Sequence, residues 1–349
     1  MDKGMNRRDF LRYSVATGVL IAAGEGMIER VMADEMVKVS EVDKLTIWVL
    51  TDNYYDTNIV EGKNVNMKRY RVVPGKSVHA EHGLSYYIET VVDGKASACM
   101  FDYGLDAAGV MNNIALLGID ISKAAAFGLS HGHYDHFTGA VNILKQNQSR
   151  IPAGTPFYVG EEAFVRRYSL RPGTTEAADL GQLQKSDIEA RGLKVVEVKS
   201  PTQIIPGAFF TGNIERLTTY EKIPPTNQVK RGDKPEPDDF RGEQALFFNV
   251  KGKGLVVLSG CAHAGMVNTV RQVQKVSGTE KVHAIMGGFH LINSKPERIQ
   301  STVADIKAMK PDHLMPAHCT GFEALVAFSK EMPEAFTLNT AGTKYTFTA

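Results

Sequence analysis

The chain has 349 residues, of which 40 are Lys or Arg and 39 are Asp or Glu, and 43% of its side chains are hydrophobic. This ordinary globular composition excludes a disordered chain, a collagen-like fibre and a polytopic membrane protein. The formal net charge is +1, and no basic stripe alternates with aromatic residues, so no nucleic-acid partner is expected. Three cysteines are too few for a disulfide framework.

The first 33 residues have the pattern of an export signal. Arg7 and Arg8 form a twin-arginine pair, a weakly hydrophobic stretch covers residues 15–23, and residues 31–33 form a small-residue cleavage site. This order resembles a twin-arginine (Tat) signal, with an amphipathic first helix as the alternative. We therefore expect recognition by the Tat machinery and a periplasmic or exported protein, anchored to the membrane only if the signal is not cleaved. No stable transmembrane span is expected after cleavage, because the apolar stretch is too short.

Residues 34–349 are predicted to form one domain that begins with hairpin strands and then alternates strands with helices. The predicted strands are Leu45–Leu50, Leu84–Val91, Ser97–Phe101, Ala124–Leu129, Leu193–Val198, Ala245–Val250, Leu255–Leu258, Val282–Met286 and His313–Pro316. The predicted helices are Ala107–Leu117, His136–Gln146, Met266–Val276 and Glu297–Met309. This pattern favours two mixed sheets packed together with helices outside. Residues 211–243 are polar and contain four prolines, which indicates a long lid-like loop.

Four metal-binding side chains follow the predicted strand Ala124–Leu129 within six residues: His131, His133, Asp135 and His136. In extended backbone His131 and His133 project to the same side, whereas Asp135 and His136 lie where the next helix would begin. Such ligands favour Zn²⁺ and also suit iron or manganese, so we expect two divalent metal ions. This H-x-H-x-D-H arrangement resembles the metallo-β-lactamase superfamily. The resemblance implies an α/β fold, a four-layer αββα sandwich of two mixed β-sheets with outer helices.

Three further histidines each follow a predicted strand. His263 follows Leu255–Leu258, His290 follows Val282–Met286, and His318 follows the short strand near Leu314. In α/β proteins, sites assemble at the carboxyl ends of strands. We therefore expect these three side chains to share one site with the first motif.

Several segments narrow the resemblance to one subgroup of the superfamily. They include Glu81–Ser85, Phe101–Gly104, Gly260–Gly265, Gly287–Leu291 and His318–Gly321, in this order. The chain resembles the dihydropteroate synthase-like 7,8-dihydropterin-6-yl-methyl-4-(β-D-ribofuranosyl)aminobenzene 5′-phosphate synthases of methanopterin biosynthesis. The segment around Cys261 and His263, together with the one at His318, is much more specific than the first motif alone.

The chain departs from the usual ligand set of the superfamily. There, a third histidine completes the first metal site and a later aspartate bridges both metals, but no histidine stands between His136 and His263 here. Cys261 occupies the aspartate position, either as a thiolate ligand or as a small buried core residue. His263 is then a candidate for the missing first-site ligand, and His318 matches the last histidine. His290 is either a ligand or a proton donor to the substrate.

Four further residues are candidates for supporting the metal ligands or for contacting the substrate. They are Glu81, His82, Asp102 and Asn213. Asp102 is expected to orient a metal-bound imidazole, with a turn residue at a strand end as the alternative. Asn213 stands where the subgroup usually carries a glutamate, and an amide is a weaker ligand for a hard metal than a carboxylate.

Three functions remain open on the sequence. The first is a metal-dependent hydrolase that activates water against an ester or phosphoryl bond of a small molecule, with Asp135 positioning the nucleophile and His290 or His263 donating a proton. The alternative within the same fold is a transferase that condenses a pterin diphosphate with an aminobenzene. The second alternative is an iron-dependent redox or sensing protein with iron beside Cys261.

Overall fold

The computed structural model describes residues 36–62, 64–170, 174 and 176–349, so the expected signal at residues 1–33 lies outside the described residues. The strands are β1 (Glu41–Val42), β2 (Lys44–Thr51), β3 (Met67–Arg69), β4 (Ser85–Val92), β5 (Lys95–Tyr103), β6 (Ala124–Gly128), β7 (Pro156–Gly160), β8 (Arg167–Leu170), β9 (Ala177–Asp179), β10 (Lys194–Val198), β11 (Thr202–Ile205), β12 (Ala208–Phe210), β13 (Asn227–Val229), β14 (Glu236–Pro237), β15 (Ala245–Val250), β16 (Gly254–Ser259), β17 (Val282–Gly288), β18 (His313–Ala317) and β19 (Thr343–Thr348). The α-helices are α1 (Ala107–Leu116), α2 (Tyr134–Phe137), α3 (Ala140–Asn147), α4 (Lys185–Glu189), α5 (Met266–Ser277), α6 (Pro296–Met309) and α7 (Phe322–Glu331). In the part of the chain that the structure describes, none of the helices has the length and apolar character that crossing a bilayer requires.

Two large mixed sheets contain most of these strands. The first sheet has the order β10-β7-β6-β5-β4-β2-β19-β3, with β5, β6, β7 and β10 parallel and the others antiparallel. The second has the order β11-β12-β15-β16-β17-β18, with β1 beside β15, and β16, β17 and β18 run parallel. A small third sheet has the order β14-β13-β8-β9.

The two large sheets pack face to face, because their strands are apolar on both sides. Along β16, Val256 and Leu258 belong to the core between the sheets, whereas Leu255 and Val257 pack against the outer helices. This alternation follows from the two-residue period of a strand. The first sheet is covered on its other face by the region of α1 and α3, and the second by α5, α6 and α7. The expected α/β sandwich of helix, sheet, sheet and helix layers is therefore confirmed.

Most predicted elements are confirmed within a few residues, and two differences are informative. The helix predicted at His136–Gln146 is interrupted after Phe137, and α3 begins only at Ala140. Gly139 lies at this break so close to the carbonyl of Tyr103 that an added Cβ would overlap it. The segment at residues 211–243 contains β13 and β14, which join β8 and β9 in the third sheet.

Candidate metal centre

The carboxyl ends of the strands of both large sheets meet at one edge of the sandwich. The H-x-H-x-D-H segment follows β6, and Cys261 and His263 follow β16. His290 follows β17, and His318 follows β18. The expectation that these side chains converge is therefore met by the geometry, because the parallel strands end at the same side.

The first group of possible ligands joins His131, His133 and His263. Their ligand atoms all lie within 4.8 Å of one another, and the Nε2 atoms of His131 and His263 are 3.2 Å apart. Burial lowers the pKa of all three imidazoles well below the ordinary value. Neutral imidazole is the form that coordinates a metal, so the group is suited to a cation.

The second group surrounds the carboxylate of Asp135. Its Oδ2 atom lies 3.0 Å from Nε2 of His318, 3.6 Å from Nε2 of His82 and 3.7 Å from Nε2 of His136. Burial opposes ionisation of Asp135, but the neighbouring histidines outweigh it and lower the pKa of this carboxyl. Burial likewise opposes protonation of His318, but Asp135 and other anionic neighbours raise the pKa of His318 to about 9. A cation is thus favoured beside this carboxylate.

Cys261 lies between the two groups. Its Sγ atom is 3.2 Å from Nε2 of His136, and it forms possible ligand groups with His131, with His263 and with His318. Burial raises the pKa of the Cys261 thiol well above its ordinary value. The thiolate therefore needs a compensating cation, which a metal supplies when it binds.

A buried carboxylate orients two of the candidate ligands. Asp102 accepts hydrogen bonds from His136 Nδ1 and from the Ser130 hydroxyl, each at 2.7 Å, and Ser130 Oγ lies 2.9 Å from His131 Nδ1. With Nδ1 of each ring used in this way, Nε2 remains free as the ligand atom. Asp102 therefore contacts His136 directly and His131 through the Ser130 hydroxyl.

Two carboxylates that the sequence analysis missed hold the backbone beside the later histidines. Asp52 Oδ1 accepts a hydrogen bond from the His318 amide at 2.9 Å. The two oxygens of Glu243 accept from the amides of His263 and Ala264, each at 2.7 Å. Asp52 directly follows the first large strand, a placement shared by the recognised candidates, but no sequence signal marks Glu243.

An aromatic ring packs against the first ligand group, that of His131, His133 and His263. The ring of Phe240 stacks on His263 with centroids 3.8 Å apart and 13° between the planes. Arg167 lies over the same phenyl ring at 5.8 Å and is paired with Asp238 at 2.7 Å, and both charged side chains are buried. The segment at residues 211–243 thus packs directly against the histidines.

The backbone is strained at four non-glycine residues of this edge. Asp102, Ala262, His290 and His318 have φ angles of 59°, 54°, 43° and 51°. Such left-handed conformations are uncommon for residues with a Cβ and tend to cluster at functional sites. Asp102 lies where the register between β4 and β5 shifts, and the other three residues follow the ends of β16, β17 and β18.

The structure does not bring every sequence candidate to the cluster. Glu81 accepts hydrogen bonds from the amides of Leu105 and Asp106 at 2.8 and 2.9 Å, so it holds the chain before α1. Asn213 is exposed and donates to Glu161 at 3.1 Å. His82, by contrast, does lie at the cluster: it is half-exposed, its ring stacks on His318 with centroids 4.9 Å apart, and its Nε2 is 3.6 Å from Asp135 Oδ2.

The donor set fits a divalent metal centre. Buried Nδ1 atoms of His263 and His290 have no hydrogen-bond partner among the described residues, and the ring centroids of these two histidines are 4.0 Å apart. Imidazole, carboxylate and thiolate ligands in two adjoining groups suit zinc or iron, and the oxygen and nitrogen ligands also suit manganese. Cys319, which the sequence analysis left unassigned, forms a further possible group with Cys261 and His318.

No family model matches the chain. The chain is 31% identical over 304 residues to 7,8-dihydropterin-6-methyl-4-(β-D-ribofuranosyl)-aminobenzene-5′-phosphate synthase of Methanocaldococcus jannaschii, covering 86% of this chain and 96% of that protein. The chain belongs to the family of this synthase. A second, uncharacterised protein of the same archaeon is 27% identical over 263 residues, covering 73% of this chain and 90% of that protein.

A solved structure confirms the fold of the family member described here. The solved structure is that of another protein, a metal-dependent hydrolase of the β-lactamase superfamily, with a TM-score of 0.67 and 24% identity, covering 87% of this chain and 100% of that chain. The fold that the resemblance to the metallo-β-lactamase superfamily implied is thereby confirmed. Membership of the synthase family supports the expectation of an enzyme. Several groups of His, Cys and Asp side chains at the strand ends of this fold could hold a metal ion.

Proposed function

We propose that the protein is a hydrolase with a binuclear metal centre that cleaves an ester or phosphoryl bond of a small molecule. The observation that carries this proposal is the pair of adjoining ligand groups, one around His131 and one around Asp135, with Cys261 between them. Hydrolases with two adjacent metals are built on such paired groups.

In this proposal His131, His133 and His263 would hold one metal ion. Asp135, His136 and His318 would hold the other, and Cys261 would supply a further ligand. When bound, the two ions lower the pKa of a water molecule towards 7 and polarise the oxygen of the scissile bond. Zinc is the favoured ion, with iron or manganese as the alternatives.

The protein side chains then have separate roles. The carboxylate of Asp135 positions the nucleophilic water by accepting a hydrogen bond from it. His290 borders both the ligand cluster and an adjoining cavity, so it is placed to donate a proton to the leaving group. Asp102 keeps the proton of His136 on Nδ1, and Phe240 excludes water from one face of His263.

Turnover of a panel of carboxylic and phosphoric esters tests the proposal. Asp135→Asn is expected to abolish hydrolysis while the chain stays folded, and His290→Gln to lower kcat by about 10²- to 10⁴-fold, the usual contribution of a general acid. Asp312→Asn is the control, because that carboxylate pairs with His283 at 2.7 Å outside the ligand groups. Full activity of Asp135→Asn at equal metal content would refute the assignment.

The 31% identity to the synthase favours a second candidate function. In it, the same centre condenses a pterin diphosphate with an aminobenzene, and bound metal would supply positive charge to the diphosphate leaving group. Incubation with both substrates distinguishes the two functions. Condensation yields one coupled product and one pyrophosphate. Hydrolysis releases pyrophosphate on ester cleavage or phosphate on anhydride cleavage, in either case with no dependence on the aminobenzene.

We further propose that the protein is exported through the Tat machinery, on the evidence of Arg7, Arg8 and the apolar stretch that follows them. A periplasmic location favours hydrolysis over pterin synthesis, since the pterin precursors are made in the cytoplasm. Replacing both arginines by lysine is expected to retain the protein in the cytoplasm on cell fractionation. An unchanged distribution would contradict the export proposal.

A further inference from the structure

Two of the three cysteines of the chain lie close together at the candidate metal centre. Cys261 follows β16 and Cys319 follows β18, and both side chains are buried. Their Sγ atoms lie within 4.8 Å of each other, and the Cys319 Sγ atom is 3.5 Å from the carbonyl oxygen of Cys261. Both are free thiols, so two reduced sulfur atoms are available at one point of the site.

The approach of the two cysteines depends on Gly288, the last residue of β17. This strand lies between β16 and β18, and because neighbouring strands are about 4.8 Å apart, the ends of the two outer strands are expected about 10 Å apart. A Cβ added to Gly288 would lie only 2.7 Å from Cys319 Sγ and 3.2 Å from Cys261 Cα. The glycine therefore leaves the space in which the two cysteines meet.

The remaining gap is small enough for a covalent bond to close it. A disulfide joins its sulfur atoms at about 2.05 Å and allows the two Cα atoms to lie about 4.4–6.8 Å apart. The Cys319 sulfur already contacts the backbone of Cys261. Neither cysteine belongs to a strand, so the bond requires a rearrangement of two turns and leaves the sheet in place.

A small oxidant has a route to these thiols past His290. This side chain adjoins the Cys319 thiol, and it also lines a cavity of about 680 Å³ beside the ligand cluster. Hydrogen peroxide is nearly as small as water, so the cavity brings it within one side chain of the Cys319 sulfur. The third cysteine, Cys99, lies instead in the core between the two large sheets.

We propose that Cys261 and Cys319 form a reversible disulfide when the protein meets a peroxide, and that this bond inactivates the metal centre by withdrawing the Cys261 sulfur. The thiolate is the form of cysteine that binds a metal, and a disulfide sulfur no longer carries that charge. The metal part of the inference rests on the proposed function, in which Cys261 supplies a ligand. The formation of the disulfide does not depend on that function.

The oxidation takes two steps. In the first, the Cys319 sulfur attacks a peroxide oxygen, the O–O bond breaks, and the departing hydroxide takes the thiol proton and leaves as water. In the second, the Cys261 sulfur attacks the resulting sulfenic acid, so the S–S bond forms and the S–O bond breaks. The hydroxide that departs takes the second thiol proton, or a solvent proton where a metal has already displaced it. Two thiols thereby lose two electrons, and one peroxide is reduced to two water molecules.

Mass spectrometry and a chromophoric chelator test the proposal on the reduced, metal-loaded protein. A small excess of hydrogen peroxide is expected to lower the intact mass by two hydrogen atoms, to give a digestion product that joins Cys261 to Cys319, and to release metal to the chelator. Dithiothreitol followed by fresh metal should restore the original state by thiol–disulfide exchange.

Two variants separate this bond from general oxidation of cysteine. Cys319→Ser should give no joined peptide and should retain the metal that the unaltered protein releases under the same treatment. Cys99→Ala is the matched control, because this buried cysteine lies in the core between the sheets, and it should behave as the unaltered protein does.

Metal content of the reduced protein distinguishes this proposal from the proposed function. A joined peptide together with metal release supports the disulfide switch. Thiols that stay unjoined, or joined thiols without metal release, overturn it and leave the hydrolase proposal standing. If the reduced protein holds no metal, the proposed function fails and the disulfide has no centre to inactivate. The mass measurement requires only the unaltered chain, so it decides whether the bond forms even if Cys319→Ser does not fold.

Discussion

Replacing Asp102 by asparagine tests how far the buried network controls the metal ligands. The fully buried Asp102 carboxylate accepts three hydrogen bonds at 2.7 Å, from the Ser130 amide, the Ser130 hydroxyl and His136 Nδ1. Asparagine keeps the bond to the Ser130 amide but turns an NH₂ group towards the two other donors. His136 then favours the tautomer with its proton on Nε2, the atom that faces Cys261. The ligand atom is thereby blocked.

The size of the effect follows from the loss of this orientation. Mutation of a residue that orients a metal ligand weakens metal affinity by about 10- to 100-fold, which corresponds to about 1.4–2.7 kcal/mol. Zinc affinity is measured by competition with a chromophoric chelator, and circular dichroism verifies the fold. The matched control is Asp312→Asn, since Asp312 also lies 2.7 Å from a histidine Nδ1, that of His283, but outside the ligand groups.

Two outcomes of this experiment differ clearly. Weaker zinc binding by the Asp102 variant alone supports the network as described. If both variants bind zinc as tightly as the unaltered protein, the Asp102–His136 contact does not orient a ligand, and the assignment of His136 to the centre is refuted.

The remaining predictions concern stability. Burial and the neighbouring His283 lower the pKa of His313 to about 4, so its stabilising contribution is present above pH 6.5 and is lost as the pH falls towards 4. Urea titrations at pH 7 and pH 4.5 measure this loss as a fall in the free energy of unfolding. The fall should be smaller for His313→Gln than for the unaltered protein, by about 1–2 kcal/mol after allowance for solvent screening of this partly exposed ring. Equal falls for the two proteins would contradict the predicted direction of the pH dependence. Arg167→Met leaves Asp238 buried and unpaired, so it should destabilise the protein by about 3–5 kcal/mol. Arg150→Met breaks an exposed ion pair of similar length, so it should lower the free energy of unfolding by less than about 1 kcal/mol. Equal losses of stability in the two variants would show that burial of the Arg167–Asp238 pair does not matter.

The candidate ligands were accessible from the sequence because each follows a recognisable strand. His131 and His133 stand directly after an apolar run, and His263 and His318 occupy the same position after later runs. Because the carboxyl ends of these strands lie at one edge of a sheet, the side chains that follow them form one cluster. The grouping of His263 with His131 and His133, by contrast, required the packing of the two sheets.

The residues that support the candidate ligands could not be recognised in the sequence in this way. Glu243 and Phe240 lie in a stretch without hydrophobic periodicity, and their positions depend on the pairing of β13 with β8, some 60 residues earlier in the chain. The interruption before α3 was also missed, because Gly139 is required there by a close approach to the carbonyl of Tyr103 rather than by a local helix signal. Such features depend on tertiary contacts that local patterns do not encode.

The charge of the cavity at His290 illustrates the same limit. Arg231 and Lys222 belong to one polar segment, and no sequence pattern separates them. In the folded chain Arg231 is paired with Glu162, whereas Lys222 joins Arg298, 76 positions away, at the cavity. Only the fold distinguishes the paired Arg231 from Lys222, which lines the cavity.

The central claim is that two ligand groups with Cys261 between them hold two divalent metal ions. Elemental analysis of the folded protein, with Cys261→Ser prepared alongside, tests it most directly. We predict close to two zinc ions per chain, falling to one or fewer in the variant. One iron per chain, with an absorption band that responds to oxidant, would favour the redox alternative. No bound metal in protein folded with metals supplied would contradict the account.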